Sequence, residues 1–481
     1  MCYNFKRVEG VNKMKKTKII CSIGPASSNP DIMCEMVKNG MNVARINFSH
    51  ATLDERKEVV SSVKKVREMT GENVAILYDT KGPEFRNGVL ENDQINLVEG
   101  KTIRIVKEKV LGNEERFSVN HPNAIDSINI GDRILLENGL MSIEVISKEE
   151  DGLTCKIIVG GVLGNKKSLS VPGVHLDMPF VSEEDKADII YACEHDGDFL
   201  ALSFVSTKED VLQVKEILKE HNRTDMKLIA KIESTTGIEN LDEIATVVDG
   251  IMVARGDLGV EAAMEDLPIL QTKIIECCRK HGRFCIVATE MLESMKKNNR
   301  PTRAEVSDVA NAVINGTDAV MLSGETTVGK YPVETVKCMA NICENIEKHL
   351  DYKINNEYIK KSIDGAIASN VVETASLLDA KLIVATTMSG KTAARVSNLR
   401  PKCLVLATCP NEKVARSLAL NFAVYPVVTS VFDSIDKIVE DAKIKAIDFA
   451  NLKESDIILI TGGFYNDPEF KGTNFMKIER I

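Results

Sequence analysis

Short runs rich in valine and isoleucine alternate along most of this chain with stretches of helical period. Eight such runs can be followed: TKIICSI from Thr17, NVARI from Asn42, NVAILY from Asn73, DFLALSF from Asp198, KLIAKI from Lys227, GIMVA from Gly250, FCIVAT from Phe284 and DAVML from Asp318. Near-continuous apolar runs of this length fit strands buried on both faces, and the helical stretches between them are the crossovers that parallel strands need. Patterns such as DIMCEMVKNG, EDLPILQTKIIECCRKHG and SDVANAVING each end in a glycine where a left-handed cap would close a helix. Eight such units predict an α/β protein built on a (β/α)8 TIM barrel, over residues 17–81 and 179–347.

The third unit is interrupted. Residues 82–178 lose the helical period and alternate apolar with polar, as in INLVEG, KTIRIV and CKIIVGG, with turn signals such as ENG and EEDG between the runs. This pattern predicts a small inserted β-barrel domain after the third strand, on the rim where barrel active sites form, placed to act as a lid. A polar stretch from Lys348 to Lys361 leads into a further α/β pattern. Its helix is expected over 363–378 and its strands at KLIVAT, CLVLAT, DIILIT and NFMKIERI, giving a C-terminal domain over 348–481. Residues 1–16 read as an N-terminal extension with Met14 as the functional start, because strand-like patterning begins only at Thr17.

Composition narrows the function. A chain of 481 residues is long enough for roughly two to four domains. A hydrophobic fraction of 44%, a mean hydropathy of −0.08 and no apolar run of bilayer length argue for a globular protein with no membrane role. A formal charge of −10 argues against a nucleic-acid partner, since phosphate-backbone binding needs clustered Lys and Arg. Anionic substrates would then need local positive focusing. The 12 cysteines form no CxxC pair and the 7 histidines show no metal-ligand spacing, which fits buried thiols in a reducing cytoplasm.

In a barrel the chemistry belongs to the last residues of each strand and the loops that follow. Lys231 and Glu233 end the fifth run, and Asp257 follows the sixth in ARGDLGV. Two acidic side chains from neighbouring strands suit Mg²⁺, and a lysine beside them offers positive charge to a phosphate or an enolate. The second run ends RINFSH, where alternation puts Arg45, Asn47 and Ser49 on one side, with His50 next. The third run ends YDTKGPEFR, adding Asp79, Thr80 and Arg86. Asn47, Ser49, Asp79 and Thr80 form an all-oxygen set with one formal charge, a field weak enough for a monovalent cation. Gly256 permits close backbone approach, and Thr289 ends the seventh run at the same rim. Taken singly, each of these residues also reads as a strand-end cap or an ordinary salt bridge.

Two phosphate-loop look-alikes stand apart. GETTVGK from Gly324 ends in Tyr331 where a hydroxyl for Mg²⁺ is required, so it is rejected. TTMSGKT from Thr386 follows a strand and opens a helix, so its amides with Thr386, Ser389, Lys391 and Thr392 are candidates for an effector phosphate.

Over nearly its whole length the chain resembles the pyruvate kinase family, through TKIICSIGPAS, GMNVARINFSH, DTKGPEFR, KIESTTGIENLDEI, MVARGDLGVE, ATEMLESM, RPTRAEVSDVANAV and MLSGETTVGKYP. The resemblance implies phosphoryl transfer from phosphoenolpyruvate to ADP in glycolysis. It implies Mg²⁺ on Glu233 and Asp257, and K⁺ on Asn47, Ser49, Asp79 and Thr80. It implies Arg45, Lys231, Gly256 and Thr289, with the metal ligand Asp257, around phosphoenolpyruvate, and Lys231, Arg45 and Thr289 as the catalytic groups. Asn47, His50, Arg86 and Lys167, the last from the lid motif GGVLGNKKSLSVPG, would face the nucleotide. Glu84 resembles the K⁺-requiring variant of the family, and a homotetramer with a sugar-phosphate or nucleotide effector is implied as well. Ala51, Ser168 and Glu290 depart from the family pattern, and Glu290 puts a carboxylate next to Thr289. Two rivals share the fold: an aldolase or lyase acting on a Mg²⁺-bound enolate, and a sugar-phosphate sensor without catalysis.

Overall fold

The computed structural model describes residues 14–463 and 472–481. The proposed extension lies outside the described residues as far as position 13. Lys15 and Lys16 do not belong to it: Lys15 Nζ donates to Asn42 Oδ1 at 2.7 Å and the Lys16 backbone N–H to Glu347 Oε2 at 2.7 Å. A lysine that buries its stem in this way leaves no mark on a hydropathy pattern.

All eight runs form one closed barrel in which every strand is parallel to its neighbours. The first strand, Lys18–Ser22, pairs with the second, Val43–Asn47, and with the eighth, Ala319–Leu322. The rest are Ala75–Asp79, Phe199–Leu202, Lys227–Ile232, Gly250–Ala254 and Phe284–Ala288. Alternate residues divide two cores: Ile20, Val43, Leu77, Ala201, Ile229 and Met252 fill the barrel, whereas Ile19, Ala44, Ile76, Leu200, Ala230 and Ile251 pack against the helices. Because the period is two, the inward series continues to the strand ends as Arg45 and Asn47, Asp79, Ser203, Lys231 and Glu233. Apolar packing below thus aims a polar layer at the mouth.

The insertion is a six-stranded sheet faced by a two-stranded one, Gln94–Leu97 with Gly161–Gly164, over one shared apolar core. Gly82 starts it with φ +75°, and a Cβ there would lie 2.8 Å from the Ser203 Cβ, so both backbone and space call for glycine. The Gly82 N–H donates to Asp185 Oδ1 at 3.1 Å, and Ser170 of the insertion hydrogen-bonds Glu261 on the opposite bank of the mouth.

The C-terminal domain has a five-stranded sheet in which the four expected strands are joined by a fifth, Val424–Val428, at one edge. Pro426 disguises that strand in the sequence; at an edge a missing N–H is tolerated. The domain closes the barrel floor, with Ala419 and Leu420 joining the interior core. Arg416 reaches across to Asp198 Oδ1 at 2.8 Å and Asp196 Oδ1 at 3.0 Å, and the Asp198 side chain is only 2% exposed. Arg67 is paired with the same two carboxylates, so removing Arg416 leaves two carboxylates against one guanidinium, toward the lower end of the about 3–5 kcal/mol that breaking a buried pair costs. Arg416→Ala should therefore lower the denaturant midpoint sharply without touching the mouth; an unchanged midpoint would show that the floor contact carries no stability.

All 11 described cysteines are free and 9 of them are buried, as the sequence suggested. No helix among the described residues is long and apolar enough to cross a membrane.

Candidate active site

A cleft of about 750 Å³ opens between the strand ends and the inserted domain. Arg45, Asn47, Ser49, His50, Thr80, Arg86, Lys167, Lys231, Glu233, Asp257 and Thr289 all line it. Residues as far apart in sequence as Arg45 and Thr289 therefore share one wall. Two expected members do not line it: Asp79 is buried behind Arg45 and Lys231, and Gly256 lies against Thr289.

Lys231 is the hub. Its Nζ donates to Ser203 Oγ at 2.7 Å and lies 3.1 Å from both Asp79 Oδ1 and Glu233 Oε1. Arg45 Nε donates to Asp79 Oδ2 at 2.7 Å and an end nitrogen to Ser22 Oγ at 2.8 Å. Glu233 Oε2 accepts the backbone N–H of Phe204 at 2.6 Å. Burial pulls the Lys231 pKa down, but the Asp79 and Glu233 carboxylates outweigh it and hold the ammonium well above its usual range. Burial pushes Asp79 up, yet Lys231 and Arg45 together bring it below the ordinary carboxylate value. Glu233 goes the other way: burial pushes it up to about 7, Lys231 offsets only part of that, and Asp257 adds to the push.

That contrast tests whether the residues fit a metal. Two cations, Arg45 and Lys231, face three carboxylates, Asp79, Glu233 and Asp257, so the layer carries a formal charge of −1. Asp79 is fully compensated and Glu233 is not. A buried carboxylate with a second one beside it and too little positive charge is what a cation ligand looks like before the cation is counted. Glu233 and Asp257 thus fit a hard divalent ion. Asn47, Ser49 and Thr80 bring oxygens to the same cleft with Asp79 behind them, which fits a monovalent ion; Asn47 Oδ1 at present accepts the Ser49 N–H at 3.0 Å and Thr80 Oγ1 the Ser203 N–H at 3.1 Å.

Thr289 has φ +69°, a costly conformation for a β-branched residue. Its hydroxyl donates to Ala288 O at 2.7 Å and accepts the Gly256 N–H at 2.9 Å. Arg255 fixes the turn, donating to Thr289 O at 2.6 Å and to Asp308 Oδ1 at 2.7 Å. Glu290 is exposed and does not line the cleft, so its charge stays outside.

On the lid side, Arg86 grips Glu84 with two hydrogen bonds of 2.8 and 2.6 Å, and Lys167 Nζ lies 2.6 Å from Glu137 Oε1. Both cations line the cleft, each already paired. Of the residues expected to hold an effector phosphate, Ser389 and Lys391 line the same crevice, facing the barrel floor. Thr386 lines another crevice of the C-terminal domain, and the Thr392 hydroxyl is buried against Thr473 Oγ1 at 2.8 Å. The helix Lys391–Asn398 begins at this turn, and Thr392 is among its buried residues.

Ser203, Phe204 and Glu137 were not anticipated. Ser203 is legible in the sequence, since it continues the inward series Phe199, Ala201 of the fourth strand. The Phe204 amide and Glu137 carry no sequence signal, because one is backbone and the other is set by the fold of the lid.

Comparison with known proteins agrees with this architecture. The family profile described as "Pyruvate kinase, barrel domain" matches residues 14–336, and "Pyruvate kinase, alpha/beta domain" matches 365–479. The pyruvate kinase of Geobacillus stearothermophilus is 44% identical over 473 residues, 97% of this chain and 80% of its own length. That of Clostridium perfringens is 40% identical over 475 residues, 97% of this chain and 100% of its own. The crystal structure of a pyruvate kinase from Cryptosporidium parvum superposes with a TM-score of 0.92 at 34% identity, covering 97% of this chain and 96% of that one. With both domains matched and the strand-end residues gathered in one cleft, the chain belongs to the pyruvate kinase family and is a phosphotransferase enzyme.

Proposed function

We propose that this chain moves the phosphoryl group of phosphoenolpyruvate to ADP in a reaction that requires Mg²⁺ and K⁺, and that it serves glycolysis in the cytoplasm as a homotetramer. The observation that carries the metal requirement is the net negative layer around Lys231. With every carboxylate ionised the layer's balance is −1, so an anionic substrate is repelled unless cations are added, since unit charges ~4 Å apart interact by about 4 kcal/mol at an effective dielectric near 20.

Glu233 and Asp257 would hold Mg²⁺, and Asn47, Ser49, Asp79 and Thr80 would hold K⁺; bound there, the ions supply the positive charge that the transferring phosphoryl group and the enolate need. The protein's own part is positioning. Arg45 offers its fork beside the phosphate while Asp79 keeps the guanidinium in place. Lys231 stays protonated at any working pH, so it acts as a fixed charge. Thr289 spends its proton on Ala288 O, which suits it to orient a water for protonation of the enolate. Asn47, His50, Arg86 and Lys167 would meet the nucleotide, whose phosphates then compete with Glu84 and Glu137 for the two lid cations. An effector phosphate at the turn before Lys391 would meet Ser389 and Lys391 without the Thr392 hydroxyl.

Pyruvate release from phosphoenolpyruvate and ADP, followed with each ion omitted in turn, tests this reading. Turnover only when both ions are present supports it, and full turnover in a chelator rejects it. Sedimentation equilibrium at four times the chain mass would support the tetramer, and a monomer would remove it.

The Glu233 shift adds a pH signature. Its folded value lies above the ordinary glutamate range, so its contribution to the stability of the metal-free protein is present at low pH and lost as the pH rises through about 7. A cation competes with that proton. Apparent Mg²⁺ affinity should be level above about pH 7 and fall by up to about tenfold per pH unit below it. Titrations across that range check the slope; a level response would show that Glu233 does not ligate.

A further inference from the structure

Away from the cleft, on the outer wall of the barrel, one cluster has no part in the proposed reaction. Cys277 and His281 lie four residues apart on one face of the helix Leu267–His281, and Asp242 faces them from the first turn of the neighbouring helix Leu241–Val247. A thiol, an imidazole nitrogen and a carboxylate oxygen all lie within 4.8 Å of one another. His281 Nε2 is 2.9 Å from Asp242 Oδ1, and Cys277 Sγ is 3.8 Å from the same oxygen. Three ligands around a tetrahedral zinc ion, with bonds of about 2.0–2.3 Å, stand about 3.3–3.7 Å apart, so small side-chain adjustments suffice.

We propose that Cys277, His281 and Asp242 form a binding site for a thiophilic divalent cation of the zinc class, with water in the fourth position. The ligand types select the ion. Sulfur and imidazole favour zinc-like ions over Mg²⁺, which prefers an all-oxygen octahedron. A thiol must lose its proton to ligate, so the ion displaces that proton into solvent when it binds. The surroundings also fit: Lys280 Nζ is 3.8 Å from Asp242 Oδ1 but its side chain is 66% exposed, free to swing away when the ion neutralises the carboxylate.

The site would act as a clasp. It joins two barrel helices just where the second one meets the C-terminal domain, whose Asn398 donates to Arg279 O at 3.0 Å. Bound metal would therefore stiffen the floor of the barrel and leave the mouth unchanged.

Cobalt(II) titration of the chelator-stripped full chain without oxygen tests the proposal, because a thiolate ligand gives cobalt a near-ultraviolet charge-transfer band that oxygen ligands at Glu233 and Asp257 do not. One equivalent should produce the band and one equivalent of Zn²⁺ should abolish it. Cys277→Ser should remove it, and Asp242→Ala, at an exposed position, should weaken cobalt binding by about tenfold or more with turnover retained. If Cys277→Ser does not fold, the Asp242→Ala result decides. Absence of the band, its persistence in Cys277→Ser, or unchanged affinity in Asp242→Ala would overturn the site.

Discussion

Replacing Lys231 by methionine should reduce turnover by about 10³-fold or more while the protein stays folded. A fixed cation beside a transferring phosphoryl group contributes on that scale, since such transfer asks the protein chiefly for positioning and charge compensation. The fold should survive for a reason visible in the layer itself. Asp79 keeps its bond to Arg45, and Glu233, already pushed up to about 7, can take a proton once its neighbour is gone. A buried cation usually cannot be deleted so cheaply. Steady-state kinetics beside a thermal melt separate the two effects: a melt within a few degrees of the parent with turnover lost supports the role, whereas retained turnover places the essential charge elsewhere.

Glu233→Gln should be nearly as damaging by a different route. The amide oxygen can still accept the Phe204 N–H, so the local geometry persists, but the charge that would hold a divalent ion is lost. Apparent Mg²⁺ affinity should fall by roughly 10²-fold or more, and the pH dependence below about 7 should disappear with it, because the group that exchanges a proton for the ion is no longer there. The double loss is diagnostic. A variant with weaker metal binding but the parental pH slope would mean that another residue titrates.

Much of this was legible in the chain. All eight barrel strands announce themselves because strands buried on both faces are nearly continuous in Val and Ile, and the period of two then carries the reading from packing to chemistry. Once Val43 is inward, so are Arg45 and Asn47; once Ile229 is inward, so are Lys231 and Glu233. The same rule would have found Ser203. It fails where the signal is local or absent. Pro426 hid an edge strand, and Lys15 is buried through its hydrogen bond to Asn42 in spite of its charge. In the effector turn, Ser389 and Lys391 line one crevice, Thr386 lines another, and the Thr392 hydroxyl meets Thr473 Oγ1. Glu290, beside Thr289 in sequence, is exposed, and both residues sit at positive φ.

Ligand spacing shows the same limit. The helical spacing of Cys277 and His281 has no meaning until Asp242 arrives from another helix. Pairing across the fold, and not proximity in sequence, makes the candidate. The rivals raised by the sequence, an enolate lyase and a silent sensor, yield to the family match.

Anomalous scattering from Mn²⁺ in crystals grown with phosphoenolpyruvate would locate the divalent ion. The ion should lie between the carboxylates of Glu233 and Asp257, with the phosphoester beside the Lys231 ammonium. A peak at any other place in the cleft, or substrate bound with Lys231 turned away from it, would contradict the account.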